Sequence, residues 1–445
     1  MNNRRTKIVA TVGPSSIKLV KELSQYVDVF RVNLAHGTKE SIKEYFEIIK
    51  TEAPDTSILA DIPGPKLRVG DLPSPITVKK GDKITFGDQI PVSDNIFFKL
   101  IKPGMEVLIA DGTIKVIINE VEDGRAVATV DEGGVISSRK GINIPDVQSN
   151  IGLSERDLEL AQLAINEGAD FLGLSFVLSA NDIKNLREKV KDNVWIIAKI
   201  EKKGAVNNLS EIVKEADGVM VARGDLGVEV GLENLPKIQA RIIKKARLYG
   251  KPVILATQVL ESMVNSPIPT RAEVIDVANS VIEGVDAIML SDETAIGKYP
   301  LEAVKTLENL IRSSERNFNP RLYPPLKSYN DAIASAAVTA AQLASAKAII
   351  IYTRTGSTAL RIIRQRPKIK IIAMTPNYKL ARKLKVCWGI EPIEIESLNS
   401  IDSIIEHARQ LVEKKNLVKI GDVIVIASGT EELATDFVKV EIIKG

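Results

Sequence analysis

Eight short apolar, β-branched runs recur between Thr6 and Ser291, and stretches of helical period separate them. The runs are TKIVATVG from Thr6, VDVFRVNL from Val27, SILADI from Ser57, ADFLGLSF from Ala169, VWIIAKI from Val194, DGVMVA from Asp217, PVILAT from Pro252 and DAIMLS from Asp286. Near-continuous apolar runs suit strands buried on both faces of a parallel sheet. The segments Ser154 to Asn166 and Arg271 to Glu283 are amphipathic, and each opens on a capping-type Ser or Thr. Strand and helix repeated eight times predict a (β/α)8 barrel of the α/β class with a parallel inner sheet.

The third repeat is interrupted. About 90 residues separate the strand at Ser57 from its helix at Ser154, far beyond an ordinary βα loop. Within them ITVKKGDKITF, MEVLIADGTIKVIINEVEDG and RAVATV alternate apolar with polar residues and are punctuated by Gly-Asp, Asp-Gly and Gly-Gly turns. A small inserted β-barrel is expected, leaving from the C-terminal face of the main barrel, where it is placed to act as a lid. After Asn319-Pro320 and a Tyr-Pro-Pro break, an Ala-rich helix from Ala332 to Ala346 is followed by AIIIYT, KIIAMT, IEPIEI, DVIVIAS and FVKVEII. These strands predict a separate α/β domain whose last two strands, too close for a crossover helix, run antiparallel. The expected domains are 1–68 and 149–320 for the barrel, 69–148 for the insertion and 321–445 for the C-terminal domain.

Sixty basic and 57 acidic residues leave a formal net charge of +3, which provides no field for nucleic acid or a membrane surface. Cys387 is the single cysteine, so neither an intrachain disulfide nor a cysteine-rich metal site is possible, and it reads as a small buried hydrophobe. Arg4-Arg5 run directly into the first strand without a signal-peptide pattern, and no apolar run suggests a membrane span; a cytoplasmic location is expected. Heavy use of Ile and Lys with 4% aromatics hints at a hot-living source.

Polar residues cluster where the apolar runs stop, at the C-terminal ends of the strands, where active sites of such barrels sit. Lys199 and Glu201 end the fifth run, Arg223-Gly224-Asp225 follow the sixth, Thr257 ends the seventh, and Ser291 and Glu293 follow the eighth. Glu201 and Asp225, on adjacent strands, offer hard oxygens to one octahedral cation such as Mg²⁺; as plain structural groups they would be salt-bridged to Lys199 or Arg223. Lys199 between them supplies a charge for an oxyanion or phosphoryl group, and Gly224 lets backbone N–H groups approach an anion. Arg31, Asn33 and His36 follow the second run, and Asp61, Lys66 and Arg68 the third. Arg31 and Arg68 have the fork geometry to clamp a phosphoryl group. His407, without clustered partners, reads as a half-exposed helix residue.

The segments VATVGPSS, FRVNLAHG, DIPGPKLR, IIAKIE, VMVARGDLGVE, KPVILATQVLESM and PTRAEVIDVANSVIEGVDAIMLSDETAIGKYPLEAV resemble, in this order, the signatures of pyruvate kinases. The resemblance covers the whole barrel and implies phosphoryl transfer from phosphoenolpyruvate to ADP, giving pyruvate and ATP. It implies that Glu201 and Asp225 bind Mg²⁺ or Mn²⁺, that Lys199 steadies the phosphoryl group and the enolate, and that Arg31 touches the phosphoryl group. The backbone of Gly224 and Asp225 would hold the substrate carboxylate, with Thr257 beside the enolate and Ser291 and Glu293 supporting a water relay. Arg31, His36 and Arg68 would face the nucleotide, and Asp111 would contact it from the lid, where Ala110 replaces an acid common in the family. A magnesium-dependent aldolase or lyase would use the same carboxylates but needs no nucleotide lid. A silent sugar-phosphate sensor would not need Lys199, Glu201 and Asp225 together.

Two further expectations come from the resemblance. Many pyruvate kinases hold K⁺ with Asn, Ser, Asp and a Thr carbonyl beside a Glu; here the set is Asn33, Ala35, Asp61 and Ile62, with Lys66 at the Glu position. Lys66 is expected to place its ammonium where K⁺ would balance Asp61 and the substrate, so K⁺ is not expected to be required and an archaeal or thermophilic, Lys-type member is implied. In the last domain Thr353, Arg354, Thr355, Gly356, Ser357 and Thr358 precede a helix and resemble an effector phosphate loop, with a well-capped helix as the alternative. The later ASGTEELATD is acidic where regulated relatives offer Trp, Arg and Gly, so a phosphorylated effector other than fructose 1,6-bisphosphate is expected. A homotetramer is implied.

Overall fold

The computed structural model describes residues 4–35, 37–110, 112–145, 147, 152–191, 193–316, 328–429 and 435–444. All eight apolar runs become parallel strands: β1 Lys7–Thr11, β2 Val29–Asn33, β3 Ser57–Ile62, β4 Phe171–Leu174, β5 Trp195–Ile200, β6 Gly218–Ala222, β7 Val253–Ala256 and β8 Ala287–Leu290. Each pairs with its neighbours in sequence order, and β1 closes the barrel on β8. Ile8, Val32, Ile58, Ile196, Val219 and Leu255 are fully buried, and each such side chain contributes roughly 1.5–3 kcal/mol relative to exposure. The outer helices start where the capping signals stand. Ser154 and Asp157 form a reciprocal capping box on helix Glu155–Asn166, and Thr270 and Glu273 do so on Arg271–Glu283.

The insertion is all-β apart from one short helix, Ile96–Leu100. Its strands pair as a five-stranded antiparallel sheet and a two-stranded ribbon around one apolar core. Arg68 and Val69 already pair with Gly141 and Val92, so the chain enters the insertion at the end of DIPGPKLR. The expected boundaries near 148 and 320 lie outside the described residues.

The C-terminal sheet holds β9 Ala348–Tyr352, β10 Lys370–Thr375, β11 Ile390–Glu394, β12 Val423–Ser428 and β13 Phe437–Ile442 in the order β11, β10, β9, β12, β13. Only the β12–β13 pair is antiparallel, as the short connection requires. The Ala-rich run forms helix Tyr329–Leu343. Cys387 is buried, and burial pushes its thiol well above the ordinary range. His407 sits half-buried on helix Ile401–Lys414.

At the N-terminal end of the barrel an aspartate precedes each even-numbered strand. Asp28, Asp170, Asp217 and Asp286 accept the N–H of Ile8, Ile58, Ile196 and Val253 at 2.8–3.1 Å. Their own N–H groups donate back to the carbonyls of the same four residues. Odd strands therefore begin with satisfied backbone where the ladder runs out. Each aspartate also carries an arginine: Arg4 on Asp28, Arg382 on Asp170, Arg187 on Asp217 and Arg366 on Asp286. Two of the four, Arg366 and Arg382, come from the C-terminal domain, which is docked on the end of the barrel opposite the polar strand ends. Trp388 adds an N–H to Asp286 at 3.0 Å, and the Arg366 guanidinium lies 4.9 Å from its ring centroid.

Candidate active site

Strand register brings the polar strand ends together. Asn33 on β2 is level with Asp61 on β3, which is level with Gly173 on β4, and Lys199 on β5 is level with Met220 on β6. Asp61 is the hub. One of its oxygens accepts from Arg31 Nε at 2.9 Å and Nη2 at 2.7 Å, and the other lies 3.1 Å from Lys199 Nζ. The Lys199 ammonium also reaches Glu201 Oε1 at 3.0 Å and donates to Ser175 Oγ at 2.8 Å. Burial alone would push Lys199 down, but Asp61 and Glu201 outweigh it and hold the ammonium at about 12. Burial would likewise raise Asp61, yet Lys199 and Arg31 keep it below the usual carboxylate range. Glu201 moves the other way: burial pushes its carboxyl up, and the charge of Asp225 adds to burial against the pull of Lys199.

Glu201 is steadied by the Phe176 N–H, which donates to Oε2 at 2.7 Å from a residue with φ +56°. Thr257 and Gln258 are also left-handed, at φ +67° and +51°. A β-branched residue there is strained, and strain of this kind persists only where surrounding contacts hold it. Arg223 supplies them, donating to the carbonyls of Thr257 at 3.1–3.2 Å and Gln258 at 2.6 Å while pairing with Asp276 at 2.5 Å. Arg223 thus shapes a loop rather than neutralising Asp225. Thr257 Oγ1 accepts from the Gly224 N–H at 2.9 Å, so a carboxylate held by that N–H would have to displace the threonine.

Glu293 is fully buried and accepts from the N–H groups of Leu260 at 2.9 Å and Ser291 at 2.7 Å, tying the β7 and β8 loops together. Burial raises its carboxyl despite those bonds. Ser291 Oγ is buried without a hydrogen-bond partner among the described residues.

Four expectations change. Arg68 does not join Arg31: its guanidinium donates to the Arg139 carbonyl of the insertion at 3.0 Å, because its backbone already pairs with Gly141. Lys66 does not stand on Asp61, which two cations already satisfy; its Nζ lies 2.5 Å from Asp225 Oδ1. The Ile62 carbonyl accepts from Ser175 Oγ at 2.7 Å, and Asn33 Oδ1 accepts from the Ala35 N–H at 3.1 Å. Lys199 is largely buried, because three acceptors enclose it. His36 and Asp111 lie outside the described residues. Ser175 and Thr11, whose Oγ1 accepts from Arg31 at 3.0 Å, were missed. Thr11 ends β1 and Ser175 directly follows β4, so the strand-end rule that selects Lys199 would have found them.

This arrangement of arginine, lysine and two carboxylates at the top of a barrel agrees with the comparisons with known proteins. The family model described as pyruvate kinase, barrel domain, matches residues 3–304, and that described as pyruvate kinase, alpha/beta domain, matches residues 331–441. The chain belongs to the pyruvate kinase family. Pyruvate kinases of Agrobacterium vitis and Methylorubrum extorquens are 40% and 38% identical to it, each over 96% of this chain and 94% of its own length. That of Thermococcus litoralis is 38% identical over 96% of this chain and 95% of its own length.

The segment expected to form a phosphate loop starts a helix in the α/β domain. Gly356, at φ +89°, precedes helix Ser357–Ile363, and a Cβ there would approach Leu380 at 3.0 Å. Its N–H donates to Thr353 Oγ1 at 2.9 Å, Thr355 Oγ1 donates to Ser357 Oγ at 3.2 Å, and Arg354 donates to the Leu398 carbonyl at 3.2 Å. Thr358 Oγ1 lies 2.9 Å from Thr435 Oγ1. Residues 430–434 of ASGTEELATD lie outside the described residues. No helix among the described residues is long and apolar enough to cross a membrane.

Proposed function

We propose that the chain transfers the phosphoryl group of phosphoenolpyruvate to ADP, giving pyruvate and ATP as the last step of glycolysis in the cytoplasm. The observation that carries this reading is the Lys199 ammonium, kept charged at about 12 and held beside Arg31 by Asp61. Phosphoryl transfer depends on positioning and on charge that is in place beforehand, which this arrangement provides. Lys199 steadies the transferring group and the enolate, Arg31 binds the phosphoryl oxygens, and Asp61 fixes the direction of both. Glu201 and Asp225 fit Mg²⁺ or Mn²⁺, because two carboxylates suffice for an ion that keeps several waters, and their mutual repulsion would be relieved. When bound, the ion would neutralise charge on the substrate. Thr257 and the unpartnered Ser291 hydroxyl line the face where the enolate would take a proton, with Glu293 as the brace between their loops. ADP would enter between barrel and insertion, with His36 and Arg68 as candidate contacts; Lys66 and Lys202 are the two cations of a small, mainly apolar hollow there that also holds Leu67, Ile142 and Phe176.

A lactate dehydrogenase-coupled assay with phosphoenolpyruvate, ADP and Mg²⁺ tests the reading. Steady pyruvate formation dependent on all three is expected; none at saturating substrate would overturn it.

The same reading excludes a K⁺ requirement. Asp61 is engaged by Arg31 and Lys199, the Ile62 carbonyl by Ser175 and Asn33 Oδ1 by Ala35, and Ala35 has no hydroxyl. Full rate is expected with tetramethylammonium in place of K⁺ at constant ionic strength, and Lys66→Glu should create dependence on K⁺. A several-fold rise of the wild-type rate on adding K⁺ would contradict this.

For regulation, the loop from Thr353 to Thr358 is read as a phosphate cradle for a monophosphorylated metabolite. Because the later segment ASGTEELATD is acidic, fructose 1,6-bisphosphate is expected to leave the rate at subsaturating phosphoenolpyruvate unchanged; strong activation would refute the assignment. A homotetramer is supported by exposed Leu232, Ile268, Ile275 and Ile282 on the barrel, and by Val440 and Ile442 on the edge strand β13. Light scattering should give about four times the chain mass.

A further inference from the structure

Each of the two carboxylates read as metal ligands already carries a lysine. Lys199 and the Phe176 N–H hold Glu201, and Lys66 holds Asp225 at 2.5 Å. The two lysines are not equivalent. Lys199 has Asp61 and Ser175 as further acceptors and would keep them if a cation took its share of Glu201. Lys66 has one carboxylate, and its side chain is 18% exposed.

Its backbone, in contrast, is pinned. Pro63 and Pro65 stiffen the loop, the Lys66 N–H donates to the Gly64 carbonyl at 2.9 Å, and Gly64 at φ +68° lies so close to Ser175 and Phe176 that a Cβ would meet them at 3.0–3.1 Å. A rigid loop therefore presents a long, flexible ammonium stem at the metal carboxylate, with the Phe176 ring, which Lys202 also approaches at 5.9 Å, 5.9 Å away.

We propose that Lys66 is a placeholder cation: it neutralises Asp225 while the metal site is empty, and a divalent cation binds by displacing it into the cleft that receives the anionic substrates. The inference rests on the reading of Glu201 and Asp225 as the metal ligands. It makes metal loading and anion binding mutually supportive through a side chain of this protein, since the Lys66 charge is free of its carboxylate only after the metal has taken Asp225.

The test uses the full chain without substrates and follows Mn²⁺ binding by electron paramagnetic resonance. Lys66→Met is expected to bind Mn²⁺ about fivefold more tightly, the value of a partly exposed ion pair near the upper end of its range. In an Asp225→Asn background the same substitution should change nothing, because the coupling partner is gone. A second measurement is acetylation of lysines, read by peptide mass spectrometry as Mg²⁺ is added. Reactivity at Lys66 should rise with metal occupancy while Lys202, paired with Glu229 at 2.9 Å, stays constant. If Asp225→Asn and Glu201→Gln weaken Mn²⁺ binding but Lys66→Met and the labelling show no change, the placeholder role is wrong and the metal site stands. If those two substitutions leave Mn²⁺ binding intact, the metal assignment fails and the placeholder role falls with it.

Discussion

Lys199→Met is expected to lower kcat by about a thousandfold or more, the scale of losing a preorganised charge aimed at a developing anion. Its ammonium touches Asp61, Glu201 and Ser175 at once. The substitution also leaves Glu201 buried with less compensation, so some stability is lost along with turnover. Mn²⁺ binding separates the two effects. A folded variant retains it, because the carboxylates are still present and have lost a competing cation, whereas a collapsed site does not. A variant with near-normal kcat would show that the transferring charge is stabilised elsewhere.

Arg366→Ala is expected to cost about 3–5 kcal/mol of stability, as removal of one partner from a fully buried ion pair does. Arg366 and Asp286 side chains are both 2% exposed, and the guanidinium makes two bonds to the carboxylate and a third to the Gly284 carbonyl. The loss should appear as a lower unfolding temperature and as earlier proteolysis of the C-terminal domain, since this contact fastens it to the barrel. Arg366→Ala with Asp286→Asn should recover part of the loss, because no uncompensated charge is left inside. An unchanged melting curve for Arg366→Ala would mean that Trp388 and the Val253 N–H satisfy Asp286 by themselves.

Pairings such as these mark the limit of what could be read without the structure. The barrel, the insertion and the C-terminal sheet were legible because each depends on local signals. These are near-continuous apolar strands, Ser154 and Thr270 at helix starts, and a gap after Ser57 too long for a loop. That Lys199, Glu201, Asp225, Thr257 and Ser291 gather at one end of the barrel was legible for the same reason, since a polar residue at or just after the end of an apolar strand must lie at that end. Ser175 and Thr11 obeyed that rule and were passed over. Arg223 was noticed, but its role as the brace of a strained Thr257 depends on backbone angles that no residue string displays.

The sequence by itself determined the strands, their order and the end of the barrel that carries the chemistry, because strand and helix periodicities are properties of neighbouring residues. Only the tertiary structure decided which opposite charges meet. Lys66 finds Asp225, 159 positions away, and not Asp61; Arg382 finds Asp170, 212 positions away; Arg366 finds Asp286. A charge settles on whichever unsatisfied partner the packed strands bring within reach, and that is fixed by register and domain docking, which depend on the whole chain at once.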